Sequence, residues 1–146
     1  MELAFPLYPL KVRTPDSGES EVWDPIRQIW VVNQPEEEIR QLLIQHLLIG
    51  HKVPRGLIAV EKEIRYQQNL RRRFDLLVYD GQTAPQVLIE IKAPQVELSE
   101  KTLQQLARYN HEIQAPHLMV TNGLRLLFFS RKPDGKYQFV PSGWYE

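Results

Sequence analysis

The pattern of apolar and polar positions changes period several times after residue 34. Proline at position 35, followed by three glutamates, is typical of a first helical turn, and the apolar face that follows predicts a helix ending near Gly50. Short apolar runs rich in β-branched residues predict strands, and a second helical period begins after Ser99 and ends near Ile113. The predicted strands span residues 57–64, 74–79, 87–92, 118–121 and 126–130, and a further short strand at 137–140 would follow them.

This order of elements, αβββαββ, predicts a single mixed α/β sheet whose two faces are covered by the two helices. The first 34 residues differ, because four prolines and a turn at residues 16–20 interrupt them. We expect a short hairpin or an irregular arm there, anchored to the core by Trp23, Ile26 and Trp30. The predicted organisation is therefore an N-terminal arm, 1–34, packed on one domain, 35–146.

Composition narrows the functional classes. The 146 residues are 42% hydrophobic and 25% charged, as in an ordinary globular domain, and no apolar run is long enough to span a membrane. The absence of cysteine excludes disulfides, thiolate zinc sites and a cysteine nucleophile, and favours the cytoplasm. Eighteen basic and 18 acidic residues give zero net charge. That balance argues against tight autonomous binding of nucleic acid, but it leaves room for a local basic groove.

The segment RFDLLVYDGQTAPQVLIEIKAP, residues 73–94, carries the candidate chemistry. Side chains alternate along a strand, so Glu90 and Lys92 share one face, roughly 6.6 Å apart, while Ile89 and Ile91 point into apolar packing. A hairpin with the preceding strand would place Asp75 beside Glu90. Two adjacent carboxylates repel each other unless a cation neutralises them, and hard oxygen ligands suit Mg²⁺ or Mn²⁺.

Such a group has the parts needed to hydrolyse a phosphodiester. Asp75, Glu90 and the main-chain carbonyl of Ile91 would be the metal ligands, and Lys92 would orient or deprotonate a water. The alternative is purely structural: Asp75 pairs with an arginine of the run 71–73, and Glu90 and Lys92 form an ion pair.

These residues resemble the PD-(D/E)xK nuclease motif. Their surroundings resemble the N-terminal nuclease domain of type I restriction enzyme R (HsdR) subunits, and the resemblance extends over nearly the whole chain. The matching pieces are VWDPIRQIW, PEEEIRQ, IAVEKEI, RRRFDLLVYD, LIEIKAP, QQLARYN and APHLMVTNG.

The resemblance implies a restriction-endonuclease-like αβββαβ core, a central mixed sheet flanked by helices, with an extra strand or hairpin and the N-terminal arm. It also implies roles for single residues. Asp75, Glu90 and Lys92 correspond to the metal and catalytic residues, and Glu37, among the glutamates at 36–38, to a supporting acid. The family's Q-x-x-x-Y signature falls on Gln105 and Tyr109.

Helical spacing places Lys101 and Arg108 on the same face as Gln105 and Tyr109, separate from the apolar stripe of Leu103, Leu106 and Asn110. This face is expected either to meet DNA or the active-site carboxylates, or to be simply solvated. The basic residues Arg71, Arg72 and Arg73 are candidates for phosphate contacts, with a solvated strand edge as the alternative.

Two features depart from the family pattern. Phe74 stands where the motif has a proline, and the chain contains no G-x-x-x-x-G-K-[ST] motif, so it cannot drive DNA translocation. The expected protein is a free-standing Mg²⁺-dependent DNA endonuclease, with Mn²⁺ as a substitute and DNA, other restriction-system subunits or a second copy as partners. The alternatives are a non-cleaving DNA-binding or assembly module and an RNA nuclease.

Overall fold

A computed structural model describes residues 3–60, 63–66 and 70–141 of the chain, and the side chains of all of these except 63–66 and 70–73. Neither helix in this part has the length and hydrophobicity that a membrane span requires. The elements in chain order are β1 (Val12–Arg13), β2 (Glu21–Asp24), β3 (Ile29–Val32), α1 (Pro35–Gln45), β4 (Ile58–Val60), β5 (Glu63–Tyr66), β6 (Leu70–Arg73), β7 (Leu76–Tyr79), β8 (Pro85–Ile91), α2 (Glu100–Ile113), β9 (His117–Thr121), β10 (Leu126–Arg131) and β11 (Tyr137–Phe139).

The central sheet has six strands in the order β11-β10-β9-β8-β7-β4. Its one parallel pair is β8 with β9, and the connection between these two strands is α2. The other neighbours are antiparallel. The prediction of a mixed α/β sheet with two helices is therefore confirmed.

Each face of the sheet buries its own hydrophobic core. Along β8, Val87, Ile89 and Ile91 point to the face covered by α1, where they pack with leucines of that helix. Leu88 points to the opposite face and packs with Leu106 of α2. This alternation, which the strand period predicts, fixes the direction of Glu90 and Lys92, because both share the face of Leu88.

The predicted strand at 57–64 is wrong in its extent. β4 ends at Val60 in the central sheet, whereas Glu63 begins β5, which pairs with β6 in a separate two-stranded sheet. An alternating pattern indicates extended backbone, but it does not reveal where the chain leaves one sheet for another. The next strand also begins later than predicted, at Leu76, so Asp75 lies in the bend that precedes β7.

The arm forms a three-stranded antiparallel sheet, β1-β2-β3. Val22 and Asp24 on β2 are fully buried, whereas Trp23 and Trp30 are partly exposed and pack edge to face on each other at 5.4 Å. The buried anchors of β2 are therefore the residues on either side of Trp23, because alternation turns its ring to the other face. Ile26 packs against the core beneath α1, as expected.

The turn at Asn122 and Gly123 connects several parts of the fold. The Asn122 Nδ2 donates to the carbonyl of Val96, in the loop that follows β8, at 2.7 Å. The carbonyl of Gly123 accepts a hydrogen bond from the N–H of Ala4 at 2.8 Å. Gly123 has φ of +87°, and an added Cβ would lie 2.3 Å from Ile39 Cδ1 on α1. The position therefore requires glycine both for its backbone conformation and for this close approach.

We predict that Gly123→Ala destabilises the fold more than Gly135→Ala. Both glycines have φ of +87°, but an added Cβ at Gly135 meets nothing within 4 Å. Gly135→Ala, the control, should lose about 1–2 kcal/mol of unfolding free energy, because alanine is strained in the left-handed region. Gly123→Ala should lose roughly 1–3 kcal/mol more because of overpacking. Urea unfolding of the two variants measures the difference, and equal losses would contradict a packing role for Gly123.

Candidate active site

Asp75 and Glu90 meet where β7 begins and β8 ends. The strands pair with Leu76 opposite Ile89, so one further residue brings Asp75 opposite Glu90. The Oδ2 of Asp75 accepts a hydrogen bond from the N–H of Ile91 at 2.7 Å. Asp75 is thus held by the backbone of the strand that carries Glu90 and that Lys92 directly follows.

Lys92 contacts Glu90 and is also partly open to solvent. Its Nζ is 3.1 Å from Oε1 of Glu90, and its side chain is 31% exposed against 14% for Glu90. The Glu90–Lys92 ion pair, which the purely structural alternative also predicted, is therefore present. It leaves the ammonium partly accessible, so a ligand can approach it.

Burial, together with the negative charges of Glu90 and Glu36, raises the pKa of the Asp75 carboxyl to about 7. The N–H of Ile91 and the charge of Arg40 oppose this rise. The carboxyl is therefore poised near neutral pH, which is common at functional sites.

Arg40, which sequence reasoning missed, joins two of the acids. Its Nη2 lies 3.3 Å from Oδ1 of Asp75, and its Nη1 lies 3.1 Å from Oε1 of Glu37. Only 4% of the side chain is exposed. The sequence signal that could have identified Arg40 was its place in the mainly apolar stretch IRQLLI of α1. All six residues of that stretch are buried, although two of them are polar. A buried arginine in such a stretch needs an acidic partner.

Glu37 is in turn held by residues of α1 and of the arm. Its Oε1 lies 3.1 Å from Nη2 of Arg27, and its Oε2 accepts a hydrogen bond from Nε2 of Gln41 at 3.2 Å. Glu36 and Glu38 are exposed, although the charge of Glu36 acts on Asp75. Of the three glutamates, Glu37 is the one tied to Asp75 through a shared side chain.

Asp24 anchors the arm end of this network. Its Oδ2 pairs with Nε of Arg27 at 2.6 Å and accepts a hydrogen bond from Nε2 of Gln41 at 3.0 Å. Its Oδ1 accepts the N–H groups of Ile26 and Arg27. Burial alone would raise the pKa of Asp24, but these hydrogen bonds and the charge of Arg27 outweigh it, so the pKa is lowered.

The residues predicted on the second helix lie on different surfaces. Lys101 and Arg108 are exposed and Gln105 is partly buried, whereas Tyr109 is buried in the same core cluster as Leu106. The expected separation of Tyr109 from the apolar stripe is therefore wrong. Its angular distance from Leu106 is only about 60° on a helical wheel, and a large ring spans that gap. The side chains of Arg71, Arg72 and Arg73 lie outside the described residues.

The donor set fits a hard divalent cation. Asp75 and Glu90 offer carboxylate oxygens whose mutual repulsion a cation would relieve. In the part of the chain that the structure describes, there is no group of three or more histidine, aspartate or glutamate side chains suited to a metal. A divalent cation held by Asp75 and Glu90 would therefore need further ligands.

The fold and this cluster define a mixed α/β protein with a carboxylate-lysine site at the junction of two central strands. The chain belongs to the family described as type I restriction enzyme R protein N terminus (HSDR_N), whose profile matches residues 35–142. The match covers about three quarters of the chain and supports a relation to restriction systems. It begins at Pro35, so the VWDPIRQIW segment of the arm lies outside it. A search of curated proteins gave no match.

We predict that the Asp75 carboxyl makes the fold less stable as the pH rises. Its pKa is about 7 when folded and about 3.9 when unfolded, so the folded state retains a proton that the unfolded state has lost. Between pH 4.5 and 8, wild type should lose on the order of 2–4 kcal/mol relative to Asp75→Asn.

Urea unfolding at several pH values measures this difference. The exposed Glu38→Gln is the control, and its stability should run parallel to that of wild type. If the difference in unfolding free energy between wild type and Asp75→Asn did not change with pH, Asp75 would ionise normally in the folded protein.

We predict that Asp24→Ala costs about 3–5 kcal/mol of unfolding free energy, because it leaves Arg27 partly buried without its closest acid. Glu21→Ala, which breaks the Arg13–Glu21 ion pair on the outer face of the same sheet, should cost about 0–1 kcal/mol. Denaturant unfolding of both variants compares them, and similar losses would mean that Asp24 does not anchor the arm.

Proposed function

We propose that this protein is a metal-dependent nuclease that hydrolyses DNA phosphodiester bonds, with a restriction-endonuclease-like core and a PD-(D/E)xK site. The observation that carries the proposal is the meeting of Asp75 and Glu90 beside Lys92, in a chain of the HsdR N-terminal family. In this proposal the β4-β7-β8 meander, α2 and β9, with α1 preceding them, form the αβββαβ core.

Asp75, Glu90 and the main-chain carbonyl of Ile91 would hold Mg²⁺, with Mn²⁺ as a substitute. When bound, the ion would supply Lewis-acid polarisation of the phosphoryl oxygen and lower the pKa of a water. The N–H of Ile91 and the guanidinium of Arg40 keep the Asp75 carboxylate in a fixed orientation. The site is thus preorganised by hydrogen bonds from this chain.

Lys92 would orient the attacking water and offset the negative charge that develops on the phosphoryl group. The water oxygen forms the new bond to phosphorus and gives up a proton to solvent, the bond to the leaving sugar oxygen breaks, and that oxygen takes up a proton from solvent. Glu37 supports the reaction through Arg40, and Gln105, partly buried on α2, is a second supporting group.

DNA would reach this site over basic side chains. Lys101 and Arg108 are exposed on α2 and available for phosphates, and Arg71, Arg72 and Arg73 are further candidates. Tyr109, being buried, would act by fixing the helix and not by stacking on bases. Other restriction-system subunits and a second copy of the chain are proposed partners, because cutting both strands of a duplex requires two sites.

A second candidate is a non-cleaving DNA-binding or assembly module. It is favoured by the ion pairs themselves, since Arg40 already pairs with Asp75 and Lys92 with Glu90, and by the zero net charge. Paired acids need no metal for neutralisation. This candidate predicts salt-dependent binding of DNA without turnover. A further alternative is an RNA nuclease, in which the chemistry of the site would be the same.

The test is a cleavage assay on plasmid DNA, single-stranded DNA and RNA, with Mg²⁺, Mn²⁺ or EDTA. Wild type should cut in the presence of either metal. Lys92→Ala should lose at least about 100-fold in rate, the size of one charge-stabilising group. Lys132→Ala, an exposed lysine on the β10–β11 hairpin, is the matched control and should cut like wild type.

The outcomes separate the candidates. Cutting that persists in Lys92→Ala would point to a contaminant or to another site. Binding of DNA without cutting by any variant would establish the module, and cutting confined to RNA would change the substrate but keep the site.

A further inference from the structure

We propose that Arg40 is a built-in counter-ion that sets how tightly the site holds its divalent metal. The inference rests on the proposed function, because it assumes that Asp75 and Glu90 hold the ion. It assigns Arg40 an electrostatic role in metal affinity, and no contact with substrate.

The carboxylate oxygens of Asp75 are both engaged by this chain. Oδ2 accepts the N–H of Ile91 at 2.7 Å, and Oδ1 faces Nη2 of Arg40 at 3.3 Å. The guanidinium therefore lies against the same carboxylate that would hold the metal. The positive charge of the guanidinium is therefore part of the site.

Arg40 also has a second acid to hold it. Its Nη1 lies 3.1 Å from Oε1 of Glu37, at a shorter distance than its contact with Asp75. Glu37 is itself fixed by Arg27 and Gln41. If Asp75 turned its charge toward a metal, the guanidinium would remain paired with Glu37. The exchange therefore leaves no buried charge unpaired, which would otherwise be costly.

The consequence is a site whose affinity for metal is lower than its two acids alone would give. A guanidinium and a divalent cation beside one carboxylate repel each other, and the repulsion is strong where little water screens it. Only 4% of the Arg40 side chain is exposed. Removing the charge should tighten metal binding by roughly tenfold.

The experiment titrates Mn²⁺ into the full chain and measures free ion by its electron paramagnetic resonance signal, so no turnover is needed. Arg40→Gln and Arg40→Met remove the charge, Arg40→Lys keeps it, and Arg125→Gln removes an exposed arginine elsewhere. We expect dissociation constants roughly tenfold lower for the two neutral variants. Arg40→Lys and Arg125→Gln should stay within about threefold of wild type. Circular dichroism confirms that each variant folds. Two neutral variants are used so that the comparison still holds if one of them does not fold.

Two results would overturn the inference while leaving the metal site intact. Unchanged affinity in folded Arg40→Gln and Arg40→Met would mean that the charge is not felt, and weaker binding would mean that Arg40 organises the ligands instead of opposing the ion. Absence of Mn²⁺ binding in wild type and in every variant would overturn the proposed metal site and this inference together. If Asp75→Asn bound Mn²⁺ as tightly as wild type, both the proposed metal site and this inference would likewise be overturned.

Discussion

The pairing of buried and partly buried acids with arginines is the constraint on which the rest of the site depends. Asp24, Arg27, Glu37, Arg40 and Asp75 follow one another in space with alternating charge, over separations of 2.6 to 3.3 Å. A carboxylate without such a partner would be very costly to bury. The network ties the arm, α1 and the start of β7 together, so the position of Asp75 depends on contacts that begin at Asp24.

This network carries one more acid than arginine. Glu37 has three cationic or donor partners, and Asp24 has the side chains of Arg27 and Gln41 besides two backbone N–H groups. Asp75, in contrast, shares Arg40 with Glu37 and also faces Glu90. The surplus negative charge therefore falls on Asp75. Burial is the main cause of its raised pKa and the charge of Glu90 adds to it, whereas the pKa of Asp24 is lowered. A chain folded only for stability would not concentrate repulsion at one carboxyl, which is why this end of the network is the candidate metal site.

The period-2 pattern of β8 was enough to predict which residues share a face, because strand alternation is a local property. It separated Glu90 and Lys92 from Ile89 and Ile91 correctly. The partners of buried charges are not local. Arg40 lies 35 residues from Asp75, and nothing in its immediate neighbours identifies which acid it meets. The same reason explains the error at 57–64, where pairing partners decided the break between β4 and β5, and at Tyr109, where ring size outweighed helical angle.

The arm is best regarded as part of the site, although the family match begins at Pro35. A profile records what a family's sequences share, whereas burial records what this chain needs. Asp24 is completely buried and contacts Gln41 and Arg27, and these two contact Glu37. If the arm were absent, Glu37 would keep only Arg40 and Gln41 among these contacts. Arg40 would then be drawn more strongly to Glu37, and its hold on Asp75 would weaken. The charge that the first helix presents to the carboxylates is therefore set partly by residues outside the family match.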